Sequence, residues 1–440
     1  MADSSWADLT SRLSGSFAKL NDSLASDAQF QAFSNTESAR KPLTFGWTAA
    51  GSDATVLCTV ETGTATVRAG KASEAAFVLS ALPKQWSEFY QALPKAPYQS
   101  YWGMFGQNIH QEGVEVLGNQ DLYINYTSIW RRILELSHTA LHGAPIQEDA
   151  YQEGPEEDPI VGRYAYVSPP SWGRTKLFYE QSGEPGKQDI LFLHTAGSDS
   201  RQYHGVMTDP RMLSRCRMTA FDLPGHGRSF PSQSQIPGSH SNSEDAYIGC
   251  IKGVIRALGL KKPIICGASM GGHICLAIAT RAAEVGCAGV IPCQGCEHTP
   301  MDRQWWDRSL FVNQSLFNPE WTYGMMAPTA PRRNRDLVWH LYSGQAFGMF
   351  HGDLDFYFGG WDGRGRVEKI DTELCPVYML TGEYDWSTTP ELSEKCAAKI
   401  AGAKFTRMEG LGHFPATENP QRFVSYLTEA VDYIVARIPK

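Results

Sequence analysis

From residue 160 onward, short apolar runs bounded by turn residues alternate with longer stretches of helical period. Two strand patterns, 162–167 and 176–180, come first and are close enough to pair antiparallel. Further strand patterns fall at 190–193, 218–222, 264–266, 288–292, 377–380 and 404–408, with helices predicted over 244–258 and 272–284. Runs this short and this apolar suit strands buried on both faces. Their alternation with helices predicts an α/β unit: a mostly parallel sheet, covered on both sides, that binds ligands at the carboxyl ends of its strands.

The alternation stops between 297 and 371, where aromatic residues crowd the chain, Trp305, Trp306, Trp321 and Trp361 among them. An insertion there is expected to roof the sheet's carboxyl edge as a cap. Many of its rings pack the cap's own core, but together they predict a water-poor pocket for an apolar group, lined by those four tryptophans.

Residues 1–142 read as a smaller, separate α+β domain. A helix is predicted over 6–24, strands at 43–47, 55–60, 64–68 and 75–79, a helix from Pro83, a strand at 114–119, and a closing helix with Ile129, Ile133 and Leu136 on one face. The aromatic stretch holding Tyr98, Tyr101, Trp102 and Phe105 is read as core rather than a ligand box. Residues 143–160, acidic and with little to bury, are the expected linker, leaving 161–440 as the second domain.

Composition narrows the function classes. The chain has 42% hydrophobic and 20% charged residues, as soluble globular proteins do. Its net charge of −8 argues against nucleic acid as a partner, because phosphate contacts need clustered Lys and Arg. The run from Arg332 to Arg335 is the local exception and is read as a solvated helix start. No apolar run is long enough for stable membrane insertion, and the first residues lack a basic region followed by an apolar core, so a cytoplasmic location is expected. Ten scattered cysteines fit a reducing compartment. Cys293 and Cys296 form a C-x-x-C with no second pair at zinc spacing, and neither a metal nor a cofactor is expected.

The chemistry begins at Gly267-Ala268-Ser269-Met270-Gly271, directly between a strand pattern and a helix pattern. A serine on so sharp a turn holds its hydroxyl at the tip, and small glycines leave room for it. In a chain this rich in glycine the pentapeptide arises by chance roughly one time in four, so its company decides. A serine nucleophile needs a base and an acid to orient that base, and in one large fold class the order is Ser, Asp or Glu, His. Asp385 follows the strand at 377–380, and His413 follows the strand at 404–408. Glu383 and Glu297 remain alternatives for the acid, with Asp385 preferred. The turn His194-Thr195-Ala196-Gly197 after the strand at 190–193 could supply half an oxyanion hole, the other half being the Met270 N–H. His194 and Thr195 are further expected to line the substrate site, and His226 and His273 to hydrogen-bond within the scaffold.

These residues resemble an α/β-hydrolase across about 160–440: the elbow at Ser269, the turn at His194, the D-x-P-G-x-G-x-S segment from Asp222 to Ser229, the late Asp385, and the G-H-F-P ending at His413 followed by Asn419-Pro420. Thr195 stands where the family has glycine, and Ala196 is the favoured oxyanion donor over Thr195. The N-terminal domain is similar to the sterol-carrier-protein-2 type of lipid-binding fold through Glu74 to Leu79, the helix around Trp86 and the stretch from Gly113 to Gly118. That resemblance implies either a holder of an apolar chain or a degenerate copy acting as scaffold and part of a homodimer interface.

The resemblance implies an acyl-enzyme mechanism for a hydrophobic ester, thioester or lactone of fatty-acyl or polyketide type. Serine at the elbow excludes the epoxide hydrolases and haloalkane dehalogenases of this fold, which carry Asp there. The alternatives are carbon–carbon cleavage of retro-Claisen type or acyl transfer on the same triad, and a lipid carrier or scaffold without catalysis.

Overall fold

The computed structural model of the 440-residue chain describes residues 2–105, 112–148, 156–299 and 305–438. Contacts divide the chain into two compact units, Met1–Gln147 with Ser309–Gly324, and Glu148–Arg308 with Met325–Lys440. Most of the expected linker, 149–155, lies outside the described residues. Glu148 is anchored rather than free: its carboxylate accepts from Arg422 Nε at 2.9 Å and from Asn419 Nδ2 at 2.6 Å.

The first unit holds β1 (Leu43–Ala49), β2 (Thr55–Glu61), β3 (Thr64–Gly70), β4 (Phe77–Ala81) and β5 (Glu115–Gly118), in the sheet order β3-β2-β1-β4-β5. The helix Ala2–Ser26 lies against β3 and the closing helix Thr127–His142. Aromatic rings fill the interior. Tyr123 stacks on Trp130 at 5.3 Å and Trp102 tilts against the same ring at 5.4 Å. Tyr101 and Trp102 are thus core, while the side chain of Phe105 lies outside the described ones.

One assignment is corrected here. Residues 309–324, expected in the cap of the second domain, cluster with the first unit. The helix Gln314–Tyr323 packs on Thr127–His142. Phe317 meets Trp102 edge-on at 5.5 Å, and the buried Glu320 carboxylate pairs with Arg131, whose guanidinium lies 4.5 Å from the Tyr323 ring centroid. A buried carboxylate must have a partner, and here the partner belongs to the closing helix of the first unit.

The second unit is built on an eight-stranded sheet of β6 (Val161–Val167), β7 (Thr175–Ser182), β8 (Gln188–Leu193), β9 (Cys216–Phe221), β10 (Ile264–Ala268), β11 (Gly289–Cys293), β12 (Tyr378–Gly382) and β13 (Lys404–Met408), ordered β13-β12-β11-β10-β8-β9-β7-β6. β6 and β7 pair antiparallel and β7 joins β9 antiparallel; the remaining pairings are parallel. This is the mostly parallel α/β sheet that the apolar runs predict, in the α/β-hydrolase architecture that the resemblance implies. Phe423, Val424, Leu427 and Val431 of the helix Pro420–Val435 close one face against Ile264, Cys266, Ile291 and Leu380. No helix of the described residues is long and apolar enough to cross a membrane.

Candidate active site

β10 is central, flanked by β8 and β11, and Ser269 is the first residue past its end. Its backbone sits at φ +57°, ψ −116°, a region non-glycine residues avoid at a cost of about 1–3 kcal/mol. Two backbone bonds hold it there: Ser269 N–H donates to Cys293 O and His273 N–H to Ser269 O, both at 2.9 Å. The glycines are there for close approach. A Cβ on Gly267 would come within 2.5 Å of Gly271 O, and one on Gly271 within 2.7 Å of Leu193 O. Gly271 thus brings the start of the helix Met270–Thr280 against the end of β8.

An account of the N–H groups after β8 singles out one donor. Thr195 N–H donates to Gln202 Oε1 at 2.8 Å, Gly197 N–H to Asp353 Oδ2 at 2.8 Å, and Ser198 N–H to Thr195 O at 3.1 Å. Among the described residues Ala196 N–H has no acceptor, and neither has Met270 N–H, the first donor of its helix. Both residues are buried. Two N–H groups at adjacent strand ends can hold a developing oxyanion.

His413 and Asp385 lie on the loops after β13 and β12. His413 Nδ1 is 2.8 Å from Asp385 Oδ2, and Asp385 Oδ1 accepts the N–H groups of Ser387 at 2.8 Å and Thr388 at 3.0 Å. An imidazole fixed through Nδ1 presents Nε2 as a base. The alternative acids are engaged elsewhere. Glu383 accepts Gly410 N–H at 3.0 Å, and Glu297 pairs with Lys399 at 2.5 Å. No hydrogen bond joins the Ser269 hydroxyl to His413 or to another described residue; such contacts commonly tighten only around a substrate. Glu418 braces the His413 loop. One carboxylate oxygen accepts the Gly412 N–H and the other the Ala327 N–H at 3.0 Å, and burial pushes its pKa up to about 8.

Of the residues expected to line the substrate site, several also make bonds within the scaffold. Both ring nitrogens of His194 are taken: Nδ1–H donates to Thr195 O at 2.8 Å and Nε2 accepts Leu223 N–H at 3.1 Å. Burial, with His226 nearby, lowers its pKa to about 4, so the ring is neutral. The Thr195 hydroxyl bonds Tyr342 OH at 2.7 Å. Trp361 is fully buried and its indole N–H donates to Cys296 O at 2.9 Å. Trp321 belongs to the segment grouped with the first unit. Trp306 is buried, and the side chain of Trp305 lies outside the described ones. His273 stacks on Tyr357 at 4.5 Å, and burial lowers its pKa to about 3. His226 bonds Asp353 at 2.8 Å.

Sequence reasoning missed Gln202, Asp353 and Gln294, and counted Tyr342 only among the aromatic residues of the insertion. Gln294, the residue after β11, is strained at φ +48° and donates through Nε2 to Gly412 O at 3.5 Å. None of the four belongs to a spaced motif; Gln202 meets Thr195 seven positions before it, and the other three act on residues more than a hundred positions away.

A sequence profile of the alpha/beta hydrolase family matches residues 190–426. The chain is 28% identical over 117 residues to the uncharacterized hydrolase YugF of Bacillus subtilis (strain 168), a stretch that is 27% of this chain and spans only 40% of that relative. Among solved structures it is similar to a thermophilic esterase from Thermogutta terrifontis, with a TM-score of 0.51 and 20% identity over 62% of this chain and 99% of that one. It is also similar to the enol-lactonase from Burkholderia xenovorans, with a TM-score of 0.51 and 18% identity over 61% of this chain and 100% of that one. At such identities the two structures speak for the fold.

Proposed function

The chain belongs to the alpha/beta hydrolase family, and from that premise we propose that it is a serine hydrolase with Ser269 as nucleophile, His413 as base and Asp385 as the acid that orients it. The strained Ser269 carries this reading, because a backbone at φ +57° is kept where the hydroxyl must stand clear of its own helix. In the proposed reaction His413 Nε2 takes the Ser269 proton as the oxygen bonds to the acyl carbon. The oxyanion is held by Met270 and Ala196 N–H groups, each worth a few kcal/mol. When the tetrahedral species collapses, the leaving alkoxide or thiolate takes the proton from His413, and water deprotonated by the same ring then releases the acid.

The substrate we favour is a hydrophobic ester, thioester or lactone of fatty-acyl or polyketide type. The buried insert rings Tyr342, Phe350, Tyr357 and Phe358 support an apolar acyl group. A fluorophosphonate probe should label the wild-type chain at Ser269 and leave Ser269→Ala unlabelled. Mass spectrometry of a His413→Ala chain incubated with cell extract should then weigh the trapped acyl adduct. A probe that misses Ser269, or a Ser269→Ala chain that still turns over esters, ends the proposal.

For the first unit we infer a degenerate sterol-carrier-protein-2-like scaffold. Its interior is occupied by Trp47, Trp86, Trp102 and Trp130, which supports a packed core over a ligand cavity. Saturable binding of a fluorescent fatty acid that persists after an alkyl fluorophosphonate has filled the Ser269 site would overturn it.

A further inference from the structure

Asp353 is fully buried in the helix Met349–Asp355 of the insert, yet donors from three other segments reach it. Gly197 N–H and His226 Nε2 reach Oδ2, each at 2.8 Å, while His240 Nε2 at 2.8 Å and Asn242 Nδ2 at 3.4 Å reach Oδ1. One carboxylate therefore gathers the turn after β8, the turn after β9 and the loop that follows it. His226 also donates through Nδ1 to Pro224 O at 3.2 Å, which makes the ring a donor at both nitrogens, an imidazolium beside a carboxylate. Burial opposes that charge, but the facing Asp353 outweighs it and raises the affinity of His226 for its proton.

The geometry points to Asp353 as a positioning residue for the chemistry at Ser269: by engaging Gly197 N–H it fixes the turn in which Ala196 N–H alone stays unengaged, so that docking of the insert helix and assembly of the oxyanion hole are one event. A second clasp from the insert acts on the same turn, the Tyr342 hydroxyl on Thr195 Oγ1. This inference rests on the serine-hydrolase reading above. His226, His240 and Asp353 bring ligand atoms within 4.8 Å of one another, as a metal site would. Four donors already occupy the four lone-pair positions of the carboxylate, which leaves none for a cation.

The test uses the full chain, a fluorophosphonate probe and p-nitrophenyl butyrate. Asp353→Asn keeps the shape but turns an NH2 toward two of the four donors. It should slow probe labelling and lower kcat at least ~30-fold, in the range for a displaced oxyanion donor. KM should stay within about threefold of wild type, because ground-state contacts are untouched. Tyr342→Phe keeps its rings packed against Phe350 and Phe414 and should slow labelling about fivefold, which keeps the idea testable if Asp353→Asn fails to fold. His240→Gln, whose amide can still donate to Asp353, should stay near wild type while His240→Ala does not. A labelled wild type with a folded Asp353→Asn chain labelling at the same rate overturns the positioning role alone, as does Tyr342→Phe at the wild-type rate when Asp353→Asn is unfolded. An unlabelled wild type overturns the serine-hydrolase reading and this inference with it. Stoichiometric metal in the purified chain, with activity lost to a chelator, overturns it in favour of a bound cation.

Discussion

His413 and Asp385 face each other across 2.8 Å, and the second oxygen of the carboxylate is tied to two backbone N–H groups. The carboxylate cannot turn away, so the ring keeps its Nδ1–H and presents Nε2. Replacing Asp385 by Asn would favour the opposite tautomer, and kcat is expected to fall by ~10⁴. Glu383→Gln and Glu297→Gln should stay within a few-fold of wild type. Steady-state kinetics on p-nitrophenyl butyrate distinguish the three; a larger loss in Glu383→Gln would reassign the acid.

Gly271→Ala should cripple the elbow without unfolding the chain. The new methyl would press on Leu193 O and push the start of the helix, with Met270 N–H, away from the turn that carries Ala196. A loss of about 10²-fold in kcat is expected, with near-UV circular dichroism unchanged. Wild-type turnover in this variant would show that the approach to Leu193 is not needed.

Glu418→Ala strands two buried backbone donors, Gly412 N–H and Ala327 N–H, and should cost about 2–4 kcal/mol of stability in urea unfolding. Its pH dependence has a definite sign. The folded pKa of about 8 lies above the usual 4.5, so the contribution of Glu418 is complete below pH 4.5 and is lost as pH rises through 8. Wild type should therefore lose stability relative to Glu418→Gln between pH 5 and pH 8, and a wild type that holds or gains stability relative to the variant over that range would refute the protonated carboxyl.

His273 gives the opposite sign. Its folded pKa of about 3 lies below 6.5, so its contribution is present above pH 6.5 and declines as pH falls toward 3. His273→Phe keeps the stack on Tyr357 and removes the titration. The stability difference between wild type and variant should shift against wild type by on the order of 2 kcal/mol from pH 7.5 to pH 5. A difference that does not move with pH would mean that the ring takes up its proton in the folded chain as readily as in the unfolded one.

Much of this was legible in the chain because the elbow, the turn after β8 and the loops of Asp385 and His413 are local patterns. Glycine spacing and short apolar runs place a residue at a strand end without knowledge of its partners. Ala196 could be preferred over Thr195 from sequence, yet the reason, Gln202 Oε1 on Thr195 N–H, needs coordinates. Asp353 carries no motif; its meaning lies in four donors, all of them more than a hundred residues away. The aromatic density near 311–323 reads as a roof by composition, but composition does not say which core a ring joins. Glu320 does, through an arginine 189 positions earlier.

The course of the chain through Ser309–Gly324 bears on any attempt to dissect the protein. A fragment beginning at residue 161 would still carry Phe317 and Glu320, stripped of Trp102 and Arg131, and so would display a raw apolar face beside a carboxylate that has lost its arginine. Neither half can be freed by a single cut, because each draws on two separate stretches of the chain.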